Sequence, residues 1–134
     1  MFSRLTSGVT GLKGAVLALP ILLAACTDPA VVAQPQSFDA STELAIACRH
    51  DEALATLAST EAARGGSTSA SELQRVILLR NAGRTMDAAS VLRQRNARDD
   101  VTAEEAVQSG TQIEDALDSI RAQRAARSGS RSCG

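Results

Sequence analysis

Tryptophan and tyrosine are absent from the 134-residue chain, phenylalanine occurs twice and histidine once. So few aromatic rings give no platform on which successive unpaired bases could stack, so a nucleic-acid partner is not expected. One imidazole and three cysteines with no Cys-x-x-Cys spacing do not supply a zinc constellation, and no cofactor is expected. No alternating Val, Ile and Thr run predicts strands. The net charge of −1 points to neither a strongly acidic nor a strongly basic partner. No apolar run reaches the roughly 20 residues that a spanning helix needs. The longest, from Ala15 to Ala25, contains Pro20.

What is present at the front is a stretch with Arg4 and Lys13 but no acid, followed by that short apolar run. This is the charged and apolar order of an export signal. Its end, Leu23-Ala24-Ala25-Cys26, resembles the bacterial lipoprotein box, in which a branched apolar residue and two small residues precede a cysteine. The resemblance implies cleavage after residue 25 and lipidation of Cys26. A thiolate is a soft nucleophile suited to accepting a diacylglyceryl group as a thioether. Two or three acyl chains then hold the protein to a membrane without spanning it. In that family an Asp directly after the cysteine favours the inner membrane. Here Thr27 follows and Asp28 comes one later, which implies the periplasmic face of the outer membrane.

Removal of residues 1–25 leaves roughly 110, enough for one small domain. Residues 26–40 contain Pro29 and Pro35 and are expected to form the lipidated terminus and an extended tether. From 41 to 127 the pattern is helical, and the fold class predicted is all-α, a small helical-hairpin domain. Ser41 or Thr42 can cap a short helix to about Arg49, and a second spans about Asp51 to Ala63 with Ala53, Leu54, Leu57 and Ala58 inward. Ser69 with Glu72, or Ser71 with Gln74, has capping-box spacing for a third, with Leu73, Val76, Ile77 and Leu79 as its stripe. A fourth runs from about Met86 to Ala97 with Ala88, Val91 and Leu92 inward. Thr102 with Glu105 opens a long fifth helix whose stripe is Ala106, Val107, Ile113, Leu117 and Ile120. Gly110 is expected to kink it, or Thr111 with Glu114 to restart it. Residues 128–134 are read as a flexible tail.

A repeat is visible at a shift of 35 residues. Leu44, Ala47, Arg49, Ala53 and Leu57 align with Leu79, Ala82, Arg84, Ala88 and Leu92. Its sense is a helix, a tight turn at Cys48 or Gly83, and a second helix packed closely through a small residue. The pattern resembles a degenerate tetratricopeptide repeat over about residues 41–98, with leucine or nothing at the family's aromatic positions and no closing proline. The resemblance implies a protein-binding array, the last helix serving as its cap.

Cys48 and Cys133 are candidates for a disulfide in an oxidising envelope compartment. The alternatives are a buried free Cys48 and an intermolecular bridge through Cys133. His50, Asp51 and Cys48 have the residue types of a nucleophilic site, but sequence neighbours on one turn seldom converge on one substrate atom. No catalytic residue is therefore assigned, and an enzyme is not expected. Glu104, Glu105, Glu114, Asp115 and Asp118 read as the solvated face of the last helix. Between Arg75 and Arg98 six arginines, Arg75, Arg80, Arg84, Arg93, Arg95 and Arg98, accompany one acid, Asp87. They form a candidate docking face for an acidic partner or a solvated helix face. The function expected is a membrane-anchored envelope lipoprotein acting as a scaffold, with the concave side of its two hairpins receiving a segment of an envelope protein. The second reading is a small accessory lipoprotein of a secretion, conjugation or surface-exclusion system.

Overall fold

The two tight turns anticipated from the repeat organise the molecule. A computed structural model describes residues 29–134, with side chains described from Phe38 onward. Residues 1–28, with the apolar run and Cys26, lie outside the described residues. Among those described there are five helices and no strand: α1 (Pro29–Ile46), α2 (His50–Ala63), α3 (Ser69–Asn81), α4 (Thr85–Asn96) and α5 (Ala103–Ser128). The fold is all-α and built from hairpins, α1 with α2 and α3 with α4, joined through α2 against α3. Helix α5 packs on both α1 and α3.

The repeat is a repeat of backbone geometry as well as of letters. Arg49 N donates to Leu44 O at 2.8 Å, and Arg84 N donates to Leu79 O at the same distance. Both bonds close a helix end over a left-handed residue, Cys48 (φ 61°) in the first turn and Gly83 (φ 75°) in the second. Both arginines then pair with an acid three residues on, Arg49 with Glu52 and Arg84 with Asp87. The aligned alanines Ala53 and Ala88 are buried to 0% and 1% exposure, which lets the helices of each hairpin approach closely.

The core has two adjoining parts. Ala45, Ala53, Leu57 and Leu78 form one, with Phe38 and Leu44 against it. Ile46, Val76, Ile77, Leu79, Ala88, Ile113, Leu117 and Ile120 form the other. Four successive residues of α3, Val76 to Leu79, are buried, because α1, α2, α4 and α5 all pack against that helix. Leu78 therefore joins the core although it falls off the stripe read from sequence.

Several expectations are corrected. The segment read as an extended tether is helical from Pro29, so α1 begins well before Ser41. Pro29 stands at the first helical position, where its missing N–H has no partner to lose. Pro35 lies inside this helix of 18 residues, where it has no N–H to donate to the preceding turn. The box at the start of α3 uses Thr68 and Ser71: Ser71 N donates to Thr68 Oγ1 at 3.1 Å and Thr68 N to Ser71 Oγ at 2.8 Å. Helix α5 passes through Gly110 without a break, and no helix restarts at Thr111. Val107 is 73% exposed, since the inward line of α5 runs through Ser109, Ile113, Leu117, Ile120 and Arg124. Ala58 is exposed. The C-terminal tail is fastened at Cys133.

The capping box at Thr102 is as expected: Glu105 N donates to Thr102 Oγ1 at 3.2 Å, and Thr102 N to Glu105 Oε2 at 2.8 Å. Thr102→Ala should destabilise the fold by about 1 kcal/mol, measured by urea denaturation. The bonds from Thr102 hold the Glu105 carboxyl below its ordinary range. The backbone N–H of residue 102 stays in Thr102→Ala, but the hydroxyl's share of this contribution, present above the unfolded-chain value and lost as pH falls through the folded one, does not, so that part of the deficit should disappear in acid.

Candidate functional site

The six arginines singled out by sequence do not form one free cationic face. Arg75 pairs with Glu61, a buried carboxylate that also accepts from Ser71 Oγ at 2.7 Å. Arg80 pairs with Glu114 and Arg84 with Asp87. Arg98 reaches Glu72 at 2.9 Å and Asp100 at 3.0 Å. Arg95 is 6% exposed and donates from Nε to Ser69 Oγ at 3.3 Å and from Nη1 to Asn96 Oδ1 at 3.1 Å. Neither Arg95 nor Arg93 has an ion pair to a described residue, and of the two Arg93 is the one exposed, on α4. Much of the local excess of positive charge is offset by Glu61, Glu72, Asp100 and Glu114, which a count from Arg75 to Arg98 does not include.

Arg93 borders an open groove of about 550 Å³ along α4, lined otherwise by Ala89, Leu92, Asn96 and Ala97. A smaller hollow of about 190 Å³ continues from it, sharing Ala89 and Leu92 and reaching Val76, Arg80 and Ala88. The groove exists because α4 has a small-residue flank at Ala88, Ala89 and Ala97 and packs chiefly on α3. The side of the hairpins formed by α1 and α3 is occupied by α5 itself, so it offers no open concave surface to a partner. Met86 on α4 is 76% exposed.

The second constellation lies at the other end of α3. Cys48 and Cys133 are joined by a disulfide across a sequence separation of 85, bringing the tail to the α1–α2 turn. Their sulfurs and a ring nitrogen of His50 lie within 4.8 Å of one another. With the sulfurs bonded to each other, this group offers a metal one imidazole and no thiolate. The proximity of Cys133 to His50 is invisible to local spacing rules because it depends on how α5 returns across the hairpins.

Arg124 is the hub of this corner. At 4% exposure it donates from Nε to Ile46 O at 3.2 Å and from Nη2 to Ala45 O at 2.8 Å, capping the C-terminal end of α1. It also donates to Asn81 Oδ1 at 3.0 Å and Arg131 O at 3.0 Å. Asn81 thus turns its amide nitrogen toward His50 Nδ1, at 3.3 Å. Burial, and next the positive charge of Arg124, push the His50 pKa below its ordinary value, against a smaller pull from Asp51. A neutral imidazole accepting at Nδ1 and carrying its proton on Nε2 fits both observations.

No family model matches the chain, and no curated protein or solved structure does so either. No described helix is long and apolar enough to cross a membrane.

Proposed function

We propose that the protein is a lipid-anchored lipoprotein of the bacterial envelope that acts as a protein-binding scaffold. Its tetratricopeptide-like hairpins would be held at the periplasmic face of the outer membrane through Cys26. The observation that carries the binding half of this reading is the α4 groove, with an apolar floor of Ala89, Leu92 and Ala97 and Arg93 at its border without an acid of its own. Such a surface suits one amphipathic helix of an envelope protein, laying a small apolar ridge on the floor and a carboxylate against Arg93. The anchoring half rests on the residue types around Cys26 and on their distance from the charged start.

The test places a photocrosslinking residue at Leu92 in cells expressing the full chain and identifies adducts in intact envelopes. One envelope protein should be captured, and Arg93→Glu should reduce its yield about fivefold. Capture of lipid alone, or a yield indifferent to Arg93→Glu, would overturn the docking assignment. The anchor has its own arm: Cys26→Ser should release the chain from carbonate-washed membranes, and retention would end that half of the proposal.

A further inference from the structure

Arg80, Arg121, Arg124 and Arg131 converge with His50 and Ser132 on a pocket of about 360 Å³ beside the disulfide, and no carboxylate lines it. The acids nearest these cations sit outside the lining. Glu114 serves Arg80, while Asp118 is shared by Arg121 at 3.3 Å and Arg131 at 3.5 Å. Arg124, the buried member, meets only carbonyl and amide oxygens. Three guanidinium groups, Arg131 exposed and Arg80 and Arg121 half-buried, therefore share two exposed carboxylates around a fourth that has none.

We infer that this pocket binds a phosphate group, free or carried on a small ester or a lipid headgroup. The cations approach from three directions, Arg80 from α3, Arg121 from α5 and Arg131 from the tail. Guanidinium forks so disposed suit the several oxygens of a tetrahedral anion better than a planar carboxylate held from one side. The neutral His50 assigned above carries an Nε2 proton and adds an uncharged donor. The volume falls in the range of small-ligand sites. The α4 groove takes no part, so this site stands or falls independently of the docking surface. The disulfide matters to it, because Ser132 and Arg131 reach the pocket on the segment that Cys133 ties down.

The experiment follows the His50 imidazole by NMR in the full chain in detergent, titrated with inorganic phosphate and, separately, with sodium chloride at equal ionic strength. An anion among these cations offsets the influence of Arg124, so phosphate should raise the His50 midpoint, by about one pH unit and saturably, where chloride does not. Arg121→Gln combined with Arg131→Gln, one half-buried and one exposed position with no part in the core, should weaken phosphate binding about tenfold with an unchanged circular dichroism spectrum. Dihexanoyl phosphatidic acid and dihexanoyl phosphatidylcholine separate the sources. Saturation by inorganic phosphate assigns a soluble ligand, and a response confined to phosphatidic acid assigns a headgroup. No movement with either, equal movement with chloride, or unaltered affinity in the double variant overturns the inference.

Discussion

Cys133→Ser should lower the free energy of unfolding by about 4.5 kcal/mol. The bridge closes a loop of sequence separation 85, and the loss of chain entropy it imposes on the unfolded state grows with the logarithm of that length. It also fixes the tail against the α1–α2 turn, where Arg131 O accepts from Arg124 Nη1. Urea denaturation of the oxidised protein, the variant and the protein reduced with dithiothreitol measures the effect, and the last two should agree. A difference under about 1 kcal/mol would show that the unfolded chain is already constrained in other ways. Cys48 sharpens the test. Its φ of 61° is a conformation that costs an L-residue about 1–2 kcal/mol, and the equivalent position of the second hairpin is Gly83. In a background carrying Cys133→Ser, Cys48→Gly should therefore be more stable than Cys48→Ser by about 1 kcal/mol. The first turn accepts a strained residue, and the strained residue is the one that carries the crosslink.

The repeat was the most informative feature of the sequence, because the alignment of Cys48 with Gly83 already placed a side chain at a position suited to glycine. Helices α2 to α5 were legible for a related reason. Their ends are marked by local chemistry, the Thr102 and Glu105 box at α5 and the left-handed turns at Cys48 and Gly83 before α2 and α4. The start of α1 was not, since Pro35 argues locally against a helix that its neighbours nonetheless continue. Leu78 and Val107 were misplaced by the same assumption, that a helix has one buried face along its whole length. Helix α3 is covered on several sides, and the first turns of α5 expose a valine that a 3.6-residue period points inward.

The candidate sites were harder to foresee. A charge count from Arg75 to Arg98 cannot see Glu61, Glu72 and Glu114, which stand 14, 26 and 34 residues from the arginines they neutralise. Nor does any spacing rule bring Arg124 to the carbonyls of Ala45 and Ile46, 79 and 78 residues away. By its place in the last turns of α5, that arginine would be expected to serve the helix's own dipole. The structure shows it serving the C-terminus of another helix, the same electrostatics acting between elements.

Arg124→Met should cost about 3 kcal/mol, because hydrogen bonds from a buried cation are stronger than neutral ones and their acceptors stay behind when the donor goes. Ala45 O would keep its bonds from Cys48 N at 3.2 Å and Asn81 Nδ2 at 3.4 Å, so the greater loss falls on Ile46 O and on the packing of α5 against α1. Arg124→Lys keeps a charge near the same helix end but cannot serve both carbonyls with a planar fork, and should recover only part of the deficit. Hydrogen exchange should show faster opening of the amides at the end of α1 in both variants. A double variant with Cys133→Ser separates the contributions: Arg124 Nη1 and the disulfide hold the same tail, so the combined loss should fall short of the sum by about 1 kcal/mol. Strict additivity would mean that the tail is held by the disulfide alone and that Arg124 acts only on α1.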